Sequence, residues 1–222
     1  MIVLIQQYFL SSLESRKKEI DYCLQRNLNC ENIDKIVLLN EKEYDLTHIK
    51  DPKSKLIFPE YGKRMTFLDA FTYANNNFEP GTIIIVSNSD IFQEDQSLLL
   101  IKDNLNDNEF YCLSRWDCTD YNQDQSILFD RKDAQDSWIS KTPIRTNSKM
   151  NFSVGALFGC DNVIAHLLHE EQYILKNPSK SIKIYHVHKH QYYEPKFDHK
   201  TLPGPYYHIL PSYLEQSQKI DG

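Results

Sequence analysis

The sequence predicts a single α/β domain with a mostly parallel central sheet, and three observations lead to this prediction. Four consecutive apolar β-branched residues at 83–86 follow Pro80, Gly81 and Thr82, which is typical of a strand buried on both faces. Upstream of this run, apolar strands alternate with helical patterns, an order that builds parallel sheets by right-handed crossovers. The 222 residues suffice for one sizeable core, so we expect one domain with an irregular tail from about residue 192.

Each element is predicted from its local pattern, in chain order. Short apolar runs predict strands at residues 2–5, 33–39, 55–58, 82–86, 110–115 and 181–188. Apolar residues at three- and four-residue spacing predict helices at residues 11–29, 66–77 and 161–173. Residues 117–151 are polar and poorly periodic, so we expect a long functional loop there. The prolines of the tail predict irregular structure.

Composition and charge narrow the functional classes. The formal net charge of −6 argues against a nucleic-acid partner, because phosphate backbones attract clustered Lys and Arg. No run approaches the roughly 18 apolar residues of a membrane span, so we expect a cytoplasmic protein without a signal peptide or transmembrane segment. Five scattered cysteines favour free thiols over disulfides or a zinc site. The dinucleotide fingerprint and the Walker-type phosphate loop are both missing from the sequence.

Polar residues directly follow the buried strand at residues 82–86. They are Ser87, Asn88, Ser89 and Asp90. In open α/β sheets, ligands bind at the carboxyl ends of the strands, and a carboxylate there can bind Mg²⁺ or Mn²⁺ together with a diphosphate. An aspartate after a strand is also a common turn or cap residue, and the pattern leaves both interpretations open.

Two later segments hold further candidate residues. Gly159 allows a close backbone approach to a ligand, and Asp161 then begins a predicted helix, either as a functional acid or only as its cap. His186 and His188 in the last predicted strand, and His190 just after it, alternate at a period of two and would share one face of an extended chain. Imidazoles are common metal ligands, although surface histidines give the same pattern.

In this order, the three motifs resemble those of the GT-A fold glycosyltransferases, especially small bacterial and large-virus members, over about residues 1–190. The family's Asp-x-Asp motif corresponds to Asn88-Ser89-Asp90. Its acidic motif after a glycine loop corresponds to Gly159-Cys160-Asp161, and its C-terminal metal-binding histidine corresponds to His186 or His188. The chain departs from the family where Asn88 replaces the first acid and Cys160 replaces a glutamate, so a single-carboxylate site is expected to hold a metal more weakly.

The resemblance implies transfer of a sugar from a nucleotide-diphosphate sugar, with a UDP-sugar expected, to a hydroxyl of a glycan or glycoprotein acceptor. Asp90, with His186 or His188, would bind Mn²⁺ or Mg²⁺ and so help neutralise the leaving diphosphate. Asp161 is the first candidate for the general base, and Asp136 is the second. The expected donor-binding residues are Gln6, Tyr8, Asn40, Arg64, Ser87, Asn88, Ser89 and Gly159.

Two other functions stay open. A sugar-nucleotide nucleotidyltransferase shares the strand order, but it is expected to have a glycine-rich basic signature after the first strand, which residues 6–9 lack. A catalytically silent carbohydrate-binding or scaffold module on the same fold is compatible with the departures at Asn88 and Cys160. Trp116 and Trp138 either stack on sugar faces or pack in the core.

Overall fold

The computed structural model describes residues 1–155, 157–187 and 201–214. Within them, four α-helices are α1 (Glu14–Asn29), α2 (Phe67–Asn77), α3 (Asp95–Asn104) and α4 (Cys160–Glu170). The strands of the larger sheet are β1 (Ile2–Gln6), β2 (Lys35–Leu38), β3 (Leu56–Ile57), β4 (Ile83–Ser87), β6 (Glu109–Leu113), β9 (Ser137–Lys141) and β10 (Ile174–Lys176). The smaller sheet contains β5 (Ile91–Gln93), β7 (Trp116–Cys118), β8 (Ile127–Leu128) and β11 (Ile184–Val187).

The larger sheet has the order β10-β6-β9-β4-β1-β2-β3. All neighbouring strands in it are parallel except β9, which runs antiparallel to both β4 and β6. Side chains from α2 and α4 pack on one face of the sheet, and side chains from α1 and α3 pack on the other. The predicted α/β class, with a mostly parallel central sheet flanked by helices, is confirmed.

Strand β4 lies at the centre because every residue in it can be buried. Ile84 and Val86 pack in the core beneath α2, whereas Ile83 and Ile85 pack in the core beneath α1. Full burial of such a side chain stabilises the fold by roughly 1.5–3 kcal/mol. The continuous β-branched run therefore forms the two-sided strand that its pattern predicts.

Residues 117–151 were expected to form a long loop, and this prediction is wrong. They contain β9, which lies between β4 and β6, and its Trp138 and Ile139 are fully buried. The strand is polar by composition, but Ser140 donates to the Glu109 carbonyl at 2.9 Å, so the serine hydroxyl is satisfied inside the sheet. Helix α3 and strands β5, β7, β8 and β10 were also missed.

The smaller sheet has the order β5-β11-β7-β8, with β11 antiparallel to β5 and parallel to β7. This pairing places His186 of β11 opposite Ile91 and Asp117. The predicted last strand is confirmed in β11, whereas His188 and His190 lie outside the described residues.

The described part of the tail, residues 201–214, is irregular as expected and packs beside α4. Its backbone N–H groups at Tyr207 and Ser212 donate to the carbonyls of Asn162 and Asn177 at 3.0 and 2.8 Å. Across the part of the chain that the structure describes, no helix is both long enough and apolar enough to cross a membrane.

Candidate active site

Asp90 lies just beyond β4, and its carboxylate is enclosed by α1 and β11. Its Oδ2 accepts hydrogen bonds from Arg16 Nη2 at 2.5 Å and from His186 Nε2 at 3.0 Å. Burial by itself raises the pKa of Asp90, but the charges of Arg16 and His186 and their hydrogen bonds hold it well below its usual range. Asp90 is therefore a fixed negative charge at the carboxyl end of the central strand.

His186 links Asp90 to Asp117. Its Nδ1 lies 3.0 Å from Asp117 Oδ1, while Nε2 faces Asp90. Burial disfavours the charged ring, but Asp90 and Asp117 outweigh burial and raise the pKa of His186 to about 9. At neutral pH the ring is therefore an imidazolium that donates a hydrogen bond to each carboxylate.

Arg115 continues this chain of charges towards β9. Its Nε donates to Asp117 Oδ1 at 2.8 Å, and its Nη1 lies 3.2 Å from Asp136 Oδ2. Its guanidinium also lies over the Phe129 ring, 4.3 Å from the centroid. A continuous series of contacts with alternating charge thus connects Arg16, Asp90, His186, Asp117, Arg115 and Asp136.

Asp136 in turn is tied to the polar end of β4. Asn88 Nδ2 donates to Asp136 Oδ1 at 2.9 Å, and the Ser87 hydroxyl donates to the Asp136 carbonyl at 3.1 Å. Gly155, at φ +63°, lies against the Asn88 side chain so closely that a Cβ at this position would collide with Asn88 Oδ1. Glycine is needed there for both its conformation and its small size.

Asp161 completes the cluster from the second residue of α4. Gly159, in the left-handed conformation, occupies the N-cap position, so Asp161 is not the cap of this helix. Its Oδ2 accepts from the Gln135 backbone N–H at 3.3 Å, and its Oδ1 accepts from Cys160 Sγ at 3.1 Å. Burial and the nearby charge of Asp136 raise the pKa of Asp161 to about 7.

Three of the expected donor-binding residues make internal contacts. The fully buried Gln6 accepts from Asn27 Nδ2 at 3.3 Å, and the fully buried Tyr8 donates from its hydroxyl to Asp21 at 2.6 Å. Asn40 accepts from the Tyr8 backbone N–H at 2.8 Å and so joins the ends of β1 and β2. Their role as donor contacts stays a prediction.

The other expected donor-binding residues are spread around the same end of the sheet. The Ser89 hydroxyl donates to the Gln7 carbonyl, while the Ser87 hydroxyl also contacts Ser137 Oγ at 2.7 Å. Arg64 is exposed in the segment before α2, and a Cβ at Gly159 would lie 3.1 Å from the Tyr206 ring. The structure thus brings together Asp90 with His186, and Asn88 with Asp136 and Asp161.

Sequence reasoning assigned no role to Arg16, Arg115 or Asp117, although all three connect the candidate acids. Arg115 and Asp117 follow the strand that ends at Leu113, and this position at a carboxyl end was a usable signal. Arg16 lies among the charges of an amphipathic helix, and its pattern gave no indication of a contact 74 positions away.

The GT-A resemblance implies a divalent cation, and two described side chains fit one. Asp90 Oδ2 and His186 Nε2 face each other across a 3.0 Å hydrogen bond, and a carboxylate oxygen and the nitrogen of a neutral imidazole are both common metal ligands. Asp117 holds the other nitrogen of His186, as second-sphere carboxylates hold metal-binding histidines. Among the described residues, no group of three or more His, Cys, Asp or Glu side chains could hold a metal ion. Diphosphate oxygens and water commonly supply the remaining ligands of Mg²⁺.

No protein-family model matches the sequence, and no curated protein does. The fold is similar to that of S. aureus TarS 1-349, solved in complex with UDP-GlcNAc, with a TM-score of 0.49 and 12% identity. The similarity covers 88% of this chain and 60% of the other, so this chain spans less than two thirds of that structure. It is also similar to 4-diphosphocytidyl-2C-methyl-D-erythritolsynthase from Anaerococcus prevotii DSM 20548, with a TM-score of 0.39, 13% identity, and 63% and 70% of the two chains covered.

Proposed function

We propose that this chain is a glycosyltransferase that moves a sugar from a nucleotide-diphosphate sugar, with a UDP-sugar expected, to a hydroxyl of a glycan or glycoprotein. The observation that carries the proposal is the pair of aspartates whose pKa values are shifted in opposite directions at one end of the sheet. Asp90 is held ionised, whereas the pKa of Asp161 is about 7. Carboxylates with separated pKa values are typical of sites that divide electrostatic and acid–base roles.

Asp161 suits the role of general base. Its pKa of about 7 leaves about half of the carboxyl groups ionised at neutral pH, which is close to the optimum for taking a proton from a hydroxyl. The contacts with Gln135 and Cys160 fix the orientation of the carboxylate. Asp136 is the second candidate, because it faces the same cluster but is engaged by Arg115 and Asn88.

Asp90 and His186 are the residues that would hold Mn²⁺ or Mg²⁺ at this site. When bound, such an ion supplies positive charge for the leaving diphosphate. His186 ligates a metal only as the neutral imidazole, so it must give up one of its ring protons for this role. Asp117 would keep the hydrogen bond to Nδ1, so Nε2 would be the nitrogen available to ligate the ion.

A thermal-unfolding panel of nucleotide sugars, with and without Mn²⁺, tests the donor half of the proposal. We expect selective stabilisation by one nucleotide diphosphate sugar, since a ligand that binds only the folded state raises the unfolding temperature. If no nucleotide sugar stabilises the protein under either condition, the proposal is wrong.

The Asp161→Asn variant tests the catalytic half with the donor that the panel identifies. It is expected to keep donor stabilisation while losing at least ~10²-fold in sugar transfer or slow donor hydrolysis. Asp133→Asn is the matched control, because the carboxylate of Asp133 pairs with the exposed Arg131. Donor binding without turnover in the wild-type protein would instead identify a silent binding module.

A further inference from the structure

Two cationic side chains contact the carboxylate of Asp90, the guanidinium of Arg16 and the imidazolium of His186. Arg16 Nη2 lies 2.5 Å from Asp90 Oδ2, the same oxygen that faces His186 Nε2. We infer that Arg16 is a resident counter-cation of Asp90, and that it must leave this oxygen before a divalent ion can bind there. The inference rests on the proposed function, because it takes Asp90 and His186 as the metal-holding pair.

The location of Arg16 suits such an exchange. Its side chain is 29% exposed, whereas the side chain of Asp90 is 13% exposed, so the guanidinium can move towards solvent while the carboxylate stays in place. Arg16 lies in the first turn of α1, at the N-terminal end of this helix. A long arginine side chain can change its partner by rotating about its χ angles between staggered rotamers.

A second acid keeps the guanidinium close to the site. Arg16 Nη1 donates to Glu19 Oε2 at 3.0 Å, and Glu19 is 2% exposed and lies one turn further along the same helix. When Nη2 leaves Asp90, this contact with Glu19 still anchors the side chain. The freed N–H groups then suit an anionic oxygen, and the diphosphate of the donor supplies such oxygens.

This arrangement couples the ion and the donor. Metal binding alone has to break the contact between Arg16 and Asp90, so the free protein holds the ion weakly. A nucleoside diphosphate offers Arg16 a new anionic partner, so it favours the state in which Asp90 is available to the ion. By thermodynamic linkage, the ion must tighten diphosphate binding by the same factor.

Calorimetric titration of Mn²⁺ alone into the intact protein at fixed pH tests the inference. Arg16→Ala is expected to tighten Mn²⁺ binding by about ten- to a hundredfold, the equivalent of one charged hydrogen bond. Arg16→Lys retains the positive charge and should fall between wild type and Arg16→Ala. Asp90→Asn should abolish the tightening when combined with Arg16→Ala.

The matched control is Lys18→Ala, which removes the same charge from the same helix at a side chain that is 67% exposed and pairs with Glu14. It is expected to leave Mn²⁺ affinity within about twofold of wild type, since exposed charges interact weakly. A second titration, of UDP at saturating Mn²⁺, should show weaker binding for Arg16→Ala than for Lys18→Ala.

The outcomes separate the two proposals. Unchanged or weaker Mn²⁺ binding by folded Arg16→Ala, or no Mn²⁺ binding by any variant, overturns the role of Arg16. In those cases nucleotide-sugar stabilisation without metal would still support the proposed glycosyltransferase function. Tighter Mn²⁺ binding by Arg16→Ala, with no nucleotide sugar bound in any condition, would support the ion exchange and reject the function.

Discussion

Asn88 and Asp136 are joined by two hydrogen bonds, one from backbone to backbone at 3.1 Å and one from side chain to side chain at 2.9 Å. The side-chain bond explains a departure of this sequence from the Asp-x-Asp pattern. An acid at position 88 would place a second carboxylate against Asp136, which already interacts with Arg115. The amide instead donates a hydrogen bond, so Asn88 is the residue that this environment favours.

Asn88→Asp is therefore expected to destabilise the protein, by about 1–3 kcal/mol at pH 8. The loss relative to wild type should be smaller at pH 5, because partial protonation of the introduced carboxyl group relieves the repulsion. Urea unfolding of both proteins at the two pH values measures the difference. The exposed Asn151→Asp is the control, and an equal loss for both variants would contradict the structural explanation.

The rate of sugar transfer should depend on the ionisation of Asp161. Its pKa is raised to about 7, and a general base acts only when deprotonated, so kcat should rise with pH, reach half of its maximum near pH 7 and level off above about pH 8. The measurement is kcat against pH at saturating donor and acceptor, with protein stability checked at each pH. A kcat that stays constant from pH 5.5 to 8 would remove Asp161 from this role.

Removing the charge of Asp136 and removing that of Arg115 should shift the midpoint of the kcat–pH profile in opposite directions. The charge of Asp136 raises the pKa of Asp161, whereas the charge of Arg115 lowers it. Asp136→Asn should therefore shift the midpoint to lower pH, and Arg115→Gln should shift it to higher pH, each by about half a unit or more. Asp133→Asn and Arg131→Gln, which remove an exposed pair, should shift it less. Shifts of the same sign for Asp136→Asn and Arg115→Gln would argue against the electrostatic explanation.

Most of the first half of the fold could be predicted because its patterns are strong and local. Residues 83–86 are apolar without interruption, and the capping box between Thr66 and Asp69 begins α2 where the sequence indicates a helix. Strand β9 could not be predicted in this way. Its serines are satisfied by long-range partners, such as Ser87 for Ser137, and a single sequence does not reveal those partners.

Some residues of the candidate site could likewise be predicted from the sequence, and others could not. Asp90 and His186 could be singled out because each ends or occupies a recognisable strand, and the structure brings them within 3.0 Å. The raised pKa of Asp161 could not be predicted, since it depends on burial and on Asp136, which is 25 positions earlier in the chain. Arg16 was missed for the same reason, because the acid that it contacts, Asp90, is 74 positions away. Arg115 is different, since it follows the end of β6 and is only two positions from Asp117.

Trp138 provides a test of the finding that β9 is a buried strand. The side chain is fully buried, and its ring packs edge-on against Phe67 with centroids 4.7 Å apart, so it belongs to the core between β9 and α2 rather than to a sugar-binding surface. Trp138→Ala should cost about 3–5 kcal/mol in unfolding free energy, because it leaves a large cavity.

Trp116 is the matched comparison for this prediction, since it is only partly buried and has Lys183 over its ring at 4.5 Å. Trp116→Ala should cost clearly less in urea unfolding, because water can fill the space that the indole leaves. Trp138→Phe keeps an aromatic ring against Phe67 and should recover part of the stability that Trp138→Ala loses. If Trp138→Ala loses less than about 1 kcal/mol in unfolding free energy and also binds the acceptor more weakly, the result would support a sugar-stacking role for Trp138 instead.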